Sequence, residues 1–326
     1  MGEIKRNRKQ LVDVVRLILA MIVIAIHFNV FENNPSINSY TVDGFFRVAV
    51  PFFFVVNGYY FNNAIIDFSA FRLWIKRVLV LFFSWQLIYL PMFLPHDDIN
   101  AQHVIVFISQ VVFGYYHLWY LSAMLMGGIC IYLLRNYSQL LLLCILLFFV
   151  GWLLQYVRIF VPEGSIYFKI MSQYWIFRNG FFYGFPMMYF GYYLSERKMI
   201  ERFSSSTIAY IVLISLFFLV LEIFLSKEVF FAKVSYHIDF ILSLIFFAPS
   251  FFALTMKFEK DLISSVNTKN IAMLASAIYF LHPYIILFVS KVGFESILFN
   301  YVLIVILTFF ISLFLLSFKR RLGFLF

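Results

Sequence analysis

Nine ionisable side chains interrupt stretches otherwise built from Leu, Ile, Val and Phe: Asp13, Arg16, His27, Arg47, His117, Arg178, Glu222, Asp239 and His282. In lipid such groups cost several kcal/mol unless they face a partner or a wet cavity, so each is a candidate for chemistry. A histidine can take up and return a proton near neutrality, and a guanidinium holds anions. Arg16 and His27 are eleven positions apart. On a helix this is almost three turns, so both occupy one face, about 16 Å apart along the axis. Asp13, one turn before Arg16, is its natural ion partner. Two plainer readings stand beside the catalytic one: Arg16 as an anchor snorkelling to head groups, and His27 as an interface histidine bonded to a neighbouring helix.

The other candidates have the same double character. Arg47 opens RVAVPFFFVVNGYYF, where Pro51 predicts a kink and Asn57-Gly58 a second break or a close helix contact. Arg47 then either faces a cavity opposite His27 or snorkels outward. His117 opens HLWYLSAM, whose Trp119 and Tyr120 either line that cavity or form an aromatic belt. Arg178-Asn179-Gly180 leads FFYGFP, in which Gly184 and Pro186 mark an irregular helix. In His282-Pro283 the proline frees a carbonyl, which the histidine can satisfy unless it joins a site. Glu222 and Asp239 are expected to pair with Lys227 or Lys233 near the outer surface. The two Cys and six His show no metal-ligand spacing, and Cys130 and Cys144 read as small buried hydrophobes.

The elements that must hold these residues follow from composition. Of 326 residues, 63% are hydrophobic and only 13% charged, with a mean hydropathy of +0.92. Such a chain cannot cover a water-facing surface, which excludes a soluble enzyme, a disordered chain and a disulfide scaffold. Runs such as LILAMIVIAI and YIVLISLFFLVL have no period of two, so a barrel is excluded as well. The fold class is all-α: one polytopic transmembrane helical bundle over 1–326, with about ten spans. These are expected near 11–31, 45–62, 78–95, 117–134, 139–157, 174–195, 206–225, 236–256, 270–290 and 298–317. The stretch 103–113 reads as a short re-entrant or interfacial helix.

Ten spans put both termini in the cytoplasm, because basic residues then favour that side roughly threefold. The cytoplasmic set includes Lys5, Arg6, Arg8, Lys9, Arg72, Lys76, Arg77, Arg135, Lys257, Lys260, Lys269, Lys319, Arg320 and Arg321, while the opposite side holds few, among them Arg158, Lys169 and Lys233. Topology thus accounts for the formal charge of +9, and no nucleic-acid partner is implied. The first span is not a cleaved leader, since Asp13 and Arg16 interrupt it and no small-residue box follows.

Asp13-x-x-Arg16 with His27, then RVAVPFFFVVNGYYF, HLWYLSA, RNGFFYGFP and IYFLHP, together resemble the acyltransferase-3 family of membrane-bound acyltransferases, from Gln10 to about Ile286. The RNGFFYGFP and HLWYLSA blocks also resemble the membrane half of vancomycin-resistance serine racemases, a branch linked to serine uptake. The resemblance implies transfer of an acyl group, acetyl above all, from cytoplasmic acyl-CoA to a hydroxyl of an envelope glycan or lipid-linked sugar. It implies His27 as catalytic base with Arg16 and Asp13, and no permanently bound cofactor or metal. The family's R-x-x-R donor pair maps its second arginine onto Arg77, but its first position is Trp74; Arg72 and Lys76 are the candidates to replace that charge. The family's serine before glycine in the second helix is Asn57 here. Arg47, Asn57, His117, Trp119, Tyr120, Arg178, Asn179 and His282 are left as acceptor or cavity residues. A transporter of a small amino acid or lipid-linked glycan is the alternative, using Arg47, Arg178 and His282 for a carboxylate.

Overall fold

The computed structural model describes residues 9–95, 100–162, 164–171, 173–230, 238–258 and 268–326. Lys5, Arg6, Arg8, Lys233 and Lys260, and the side chain of Arg158, lie outside the described residues. The regular elements of the described chain are all helices, and the main ones are α1 (Gln10–Phe28), α2 (Ala49–Phe61), α3 (Phe68–Phe93), α4 (Ala101–Phe113), α5 (Trp119–Leu134) and α6 (Leu140–Phe160). They continue with α7 (Phe185–Glu196), α8 (Ser205–Leu225), α9 (Leu244–Lys257), α10 (Thr268–Val292), α11 (Ile297–Ser317) and α12 (Lys319–Leu322).

Eight helical stretches among the described residues are long and apolar enough to cross a membrane: Gln10–Phe28, Pro35–Ile65, Phe68–Phe93, Tyr116–Leu134, Leu140–Val157, Ser205–Phe230, Thr268–Val292 and Ile297–Ser317. The other two expected spans appear as shorter elements. Over 174–195 the chain forms a π-helical turn, Gly180–Gly184, that runs into α7, and the described part of 236–256, from 238 on, forms α9 after a non-helical approach. Hydropathy reads both as continuous because irregular backbone inside a bundle can be as apolar as helix. α4, covering 103–113, has 13 residues, short of a span.

Two helices without a lipid face form the centre. Ten of the 13 residues of α2 and most of α7 are buried, and both are apolar all round. Gly58 and Gly191 let them touch: a Cβ on Gly58 would lie 1.8 Å from the Met188 carbonyl oxygen, and one on Gly191 2.0 Å from that of Val55. Close approach through small residues is how helices pack where lipid supplies no hydrophobic drive. Asn57-Gly58 is thus a close contact and not a break. The kink expected at Pro51 is instead a change of winding. Phe45–Val48 is 3₁₀ and α2 begins at Ala49, with the Ala49 N–H bonded to the Phe46 carbonyl, so the proline sits in a first turn where its missing donor is not needed. α1 and α11 flank α10, and the pair α8 and α9 closes the other side. Cys130 and Cys144 are both free thiols.

Candidate active site

His27 stands in the last turn of α1, followed by Asn29 in the left-handed region at φ 56°, whose N–H caps Ala25. Its Nδ1 lies 2.8 Å from the hydroxyl of Tyr116. Tyr116 itself has φ 50°, just after Gly114 at φ 97°. A bulky residue in that region is strained and persists only where its surroundings fix it, which occurs mainly at functional sites. The residue that orients the His27 ring is therefore held there at a conformational cost.

Two further imidazoles stand beside His27. The His282 ring is centred 5.0 Å from that of His27 and 5.2 Å from that of His117. Both are almost fully buried, at 0% and 1% exposure. Pro283 has no N–H to give the Tyr279 carbonyl, and His282 Nδ1 supplies the missing donor at 2.6 Å. In neutral His282 this leaves Nε2 as a bare acceptor. Tyr279 donates its hydroxyl to the His117 carbonyl at 3.1 Å, fixing the turn that presents His117. Neither nitrogen of His117, nor Nε2 of His282, has a partner of standard geometry among the described residues. Buried polar atoms left so cost about 1–3 kcal/mol each, and native structures keep few of them without a reason.

A second group of charges borders the histidines. Arg47 donates to Asp239 through Nη1 and to Asp43 through Nη2 at 2.8 Å, while Arg178 Nη1 reaches the same Asp239 oxygen at 3.2 Å. Gln155 pins the loop that carries Asp239: its Oε1 accepts from the N–H groups of Asp239 and Phe240, both at 2.8 Å, and its Nε2 donates to the Phe240 carbonyl. The Arg178 guanidinium lies over the rings of Trp119 and Tyr174, 5.0 and 4.8 Å from their centres. His27 is within electrostatic reach of Arg47, Arg178, His117 and His282.

Here the structure corrects the sequence reading. Asp239 pairs with two partly buried arginines, and Lys227 lies instead against Glu228, the Ser36 carbonyl and the Tyr40 ring, while the expected partner Lys233 lies outside the described residues. Glu222 has no lysine partner among the described residues. It accepts from Trp152 Nε1, from the N–H groups of Leu242 and Ser243, and from the Ser243 hydroxyl, at 2.6–3.0 Å. A carboxylate at a helix start satisfies amides that have no partner within the helix and sits at the positive end of its dipole. The aromatic-belt alternative fails for Trp119 and Tyr120 because both turn inward. Trp119 stacks on Arg178, and Tyr120 is buried and accepts from Asn57 Nδ2 at 2.5 Å. The amide of Asn179 is spent on backbone: Oδ1 caps Phe181 and Phe182, and Nδ2 donates to Trp175 and Ile176.

At the Arg16 end of α1 a cavity of about 1170 Å³ opens, larger than the roughly 300–1,000 Å³ of ordinary small-molecule sites. Arg16, Lys76, Arg77, Lys269, Lys319 and Arg320 line it, with Asp13 as the carboxylate among its described lining, 3.3 Å from Arg16. Arg72 is exposed and does not line it, whereas Trp74 does, packing its ring against Gly128, Phe61 and Phe71. A narrower cavity of about 90 Å³ shares Arg16, Asn57 and Ser276 with the first and adds Tyr120, Tyr279 and Phe280. The Tyr279 ring is 5.5 Å from that of His117 and 6.0 Å from that of His282. The narrow cavity thus borders Tyr279, the residue packed against both histidines. Another cavity of about 590 Å³, beside Trp152, Phe218 and Phe246, is apolar and borders Glu222, whose oxygens are already bonded. Among the described residues no group of three or more His, Cys, Asp and Glu is arranged to hold a metal.

Tyr116, Asp43, Tyr279, Lys269, Lys319 and Arg320 escaped the sequence reading as site residues. Only Tyr116 left a local signal, in Gly114-Tyr115-Tyr116-His117, where a glycine before a charged turn marks unusual backbone.

Buried imidazoles and guanidinium pairs inside a bundle of long apolar helices, with a basic cavity at one end, define an integral, multi-pass membrane protein. The chain belongs to the acyltransferase-3 family, whose model, described as an acyltransferase domain, matches residues 10–317. It is also similar to an amino-acid racemase of Enterococcus faecalis, 26% identical over 341 residues that cover 97% of this chain and 47% of that protein. A serine/alanine racemase of Enterococcus gallinarum is 30% identical over 131 residues, 36% of this chain and 18% of that one. The chain thus spans about half the length, at most, of these curated relatives. No solved structure matches.

Proposed function

We propose that this protein is a membrane-embedded O-acyltransferase that moves an acyl group, acetyl above all, from cytoplasmic acyl-CoA to a hydroxyl of an envelope glycan or lipid-linked sugar. The observation that carries this reading is the basic cavity at Arg16, with a narrower cavity beside it that shares Arg16 and Asn57 and borders Tyr279, whose ring packs against that of His117. Ten spans with both termini in the cytoplasm, as the distribution of Lys and Arg suggests, would open that cavity to the donor.

In the reaction, the His27 tautomer that carries its proton on Nδ1 donates to the Tyr116 hydroxyl 2.8 Å away, and its Nε2 then accepts the proton of the acceptor hydroxyl. The oxygen attacks the thioester carbonyl, the C–O bond forms, and the C–S bond breaks. The departing thiolate takes the proton back from the imidazolium. The His117 imidazole and Nε2 of His282 supply hydrogen-bonding capacity for the acceptor beside that carbonyl. Asp43 and Asp239 already balance Arg47 and Arg178, so these arginines serve as a rigid polar wall more than as a free anion trap. Desolvation in the bundle strengthens each contact.

The test is transfer of label from acetyl-CoA to envelope material in vesicles holding the wild type or His27→Ala. Loss of transfer in a fully inserted, folded variant is expected; retained transfer removes His27 from the base role. The likeness to two proteins named as racemases of amino acids favours a second reading, a transporter of a serine-like amino acid. Uptake of labelled serine into the same vesicles without any transfer would establish it instead.

A further inference from the structure

The donor cavity has a wall that no motif supplies. α12 and the turn Gly323–Leu325 fold back beneath the bundle after α11. This segment is anchored: Trp85 Nε1 donates to the Leu325 carbonyl at 3.1 Å, Leu325 is buried, and Lys319 Nζ donates to Asn270 Oδ1 at 2.8 Å at the start of α10. Gly323, Phe324 and Phe326 line the cavity, and so do Lys319 and Arg320. Their neighbour Arg321 is exposed and does not.

We infer that the segment Lys319–Phe326 completes the nucleotide end of the acyl-CoA site, with Lys319, Arg320 and Lys269 binding its phosphates. The inference rests on the acyl-CoA reading above and deepens it. Trp74 presents an uncharged ring where an arginine would otherwise stand, held in place by Gly128, since a Cβ there would lie 2.3 Å from the indole. The α3 wall is therefore left with Lys76 and Arg77, too little positive charge for a ligand carrying three phosphate groups. Lys269 from α10 and the Lys319–Arg320 pair bring cations from two other directions, so the phosphates are surrounded rather than flanked. The orientation follows as well. Arg16 is the cation shared with the narrow extension, while these others line only the wide part. The nucleotide sits at the mouth, and the pantetheine arm points toward Asn57 and Tyr120.

The test uses the full chain in phosphatidylcholine nanodiscs, with CoA binding measured by calorimetry for wild type, Lys319→Gln, Arg320→Gln and Arg321→Gln. Loss of a charge-assisted phosphate contact weakens binding about tenfold. That loss is expected for Lys319→Gln and Arg320→Gln and not for Arg321→Gln. If wild type binds CoA and Arg320→Gln and Lys319→Gln bind it equally well, the inference is overturned and the acyl-CoA reading survives. If wild type does not bind CoA, the acyl-CoA reading falls and takes this one with it. Anionic head groups share the phosphate chemistry, so the measurement is repeated with phosphatidylglycerol discs. A variant effect confined to those discs assigns the cations to lipid and also overturns the inference.

Discussion

His282 Nδ1 lies 2.6 Å from the carbonyl oxygen of Tyr279, the acceptor that Pro283 leaves without its helical donor. The His-Pro pair is one device: the proline opens a gap in the helix ladder, and the histidine fills it at the expense of one tautomer. Nε2 of a fully buried imidazole is thereby set as an acceptor beside His27.

Pro283→Ala restores the N–H that competes for the Tyr279 carbonyl. Removing proline from a helix interior should hold or raise the thermal midpoint, while acyl transfer should fall about tenfold as the locked tautomer is lost. Thermal unfolding and kcat measured on the same preparation check both halves. An unchanged kcat would mean that the lock has no part in the reaction.

Tyr116→Phe keeps the ring and removes the hydroxyl bonded to His27 Nδ1. A net hydrogen bond of about 1 kcal/mol predicts a loss of roughly fivefold to tenfold in kcat. KM for acyl-CoA should not move, since Tyr116 does not line the basic cavity. A rise in KM with constant kcat would contradict the assigned role.

Asp239→Ala removes the carboxylate shared by Arg47 and Arg178, whose side chains are only 12% and 24% exposed. Breaking a buried pair on one side costs about 3–5 kcal/mol because the remaining charge is stranded. Chemical unfolding in detergent should show this loss, and Arg47→Met in the same chain should recover part of it. Independent, additive losses would exclude coupling.

Gly58→Ala and Gly191→Ala place a methyl group against backbone oxygens of the facing helix. Backbone cannot step aside as a side chain can, so α2 and α7 must separate. Overpacking of this kind costs about 1–3 kcal/mol or more. The expected readout is a smaller monodisperse fraction after solubilisation and a lower thermal midpoint for each variant.

Arg77→Gln should weaken CoA binding, and Arg72→Gln should not, because only Arg77 lines the cavity. Of the two positions offered by α3 to replace the missing arginine, Lys76 lines the cavity and Arg72 does not. Parallel binding isotherms for the two variants decide between them.

Much of this protein is written in local sequence. Apolar runs with internally satisfied backbone allow only a helical membrane bundle, and Asp13, Arg16 and His27 share a face because one helix carries them all. The irregular helix at Gly180–Gly184 and the close contact at Gly58 were legible for the same reason, as single-residue backbone effects. Partnerships across helices were not. Glu222 and Asp239 had lysines nearby in sequence, yet their partners are Ser243, Arg47 and Arg178, chosen by which helix ends meet. Trp119 and Tyr120 fit a lipid interface by type and turn inward because Arg178 and Asn57 stand opposite.

The sequence by itself determined the solvent of this chain, its helical class, its family and the face of the first helix, since hydropathy and helical period act over a few residues. Only the tertiary structure decided that His117 and His282 stand beside His27, and that Lys319 and Arg320 turn back to the cavity of Arg16. Those juxtapositions join residues up to 304 positions apart, and they depend on how buried side chains and glycine contacts set one helix against another, which no local pattern encodes.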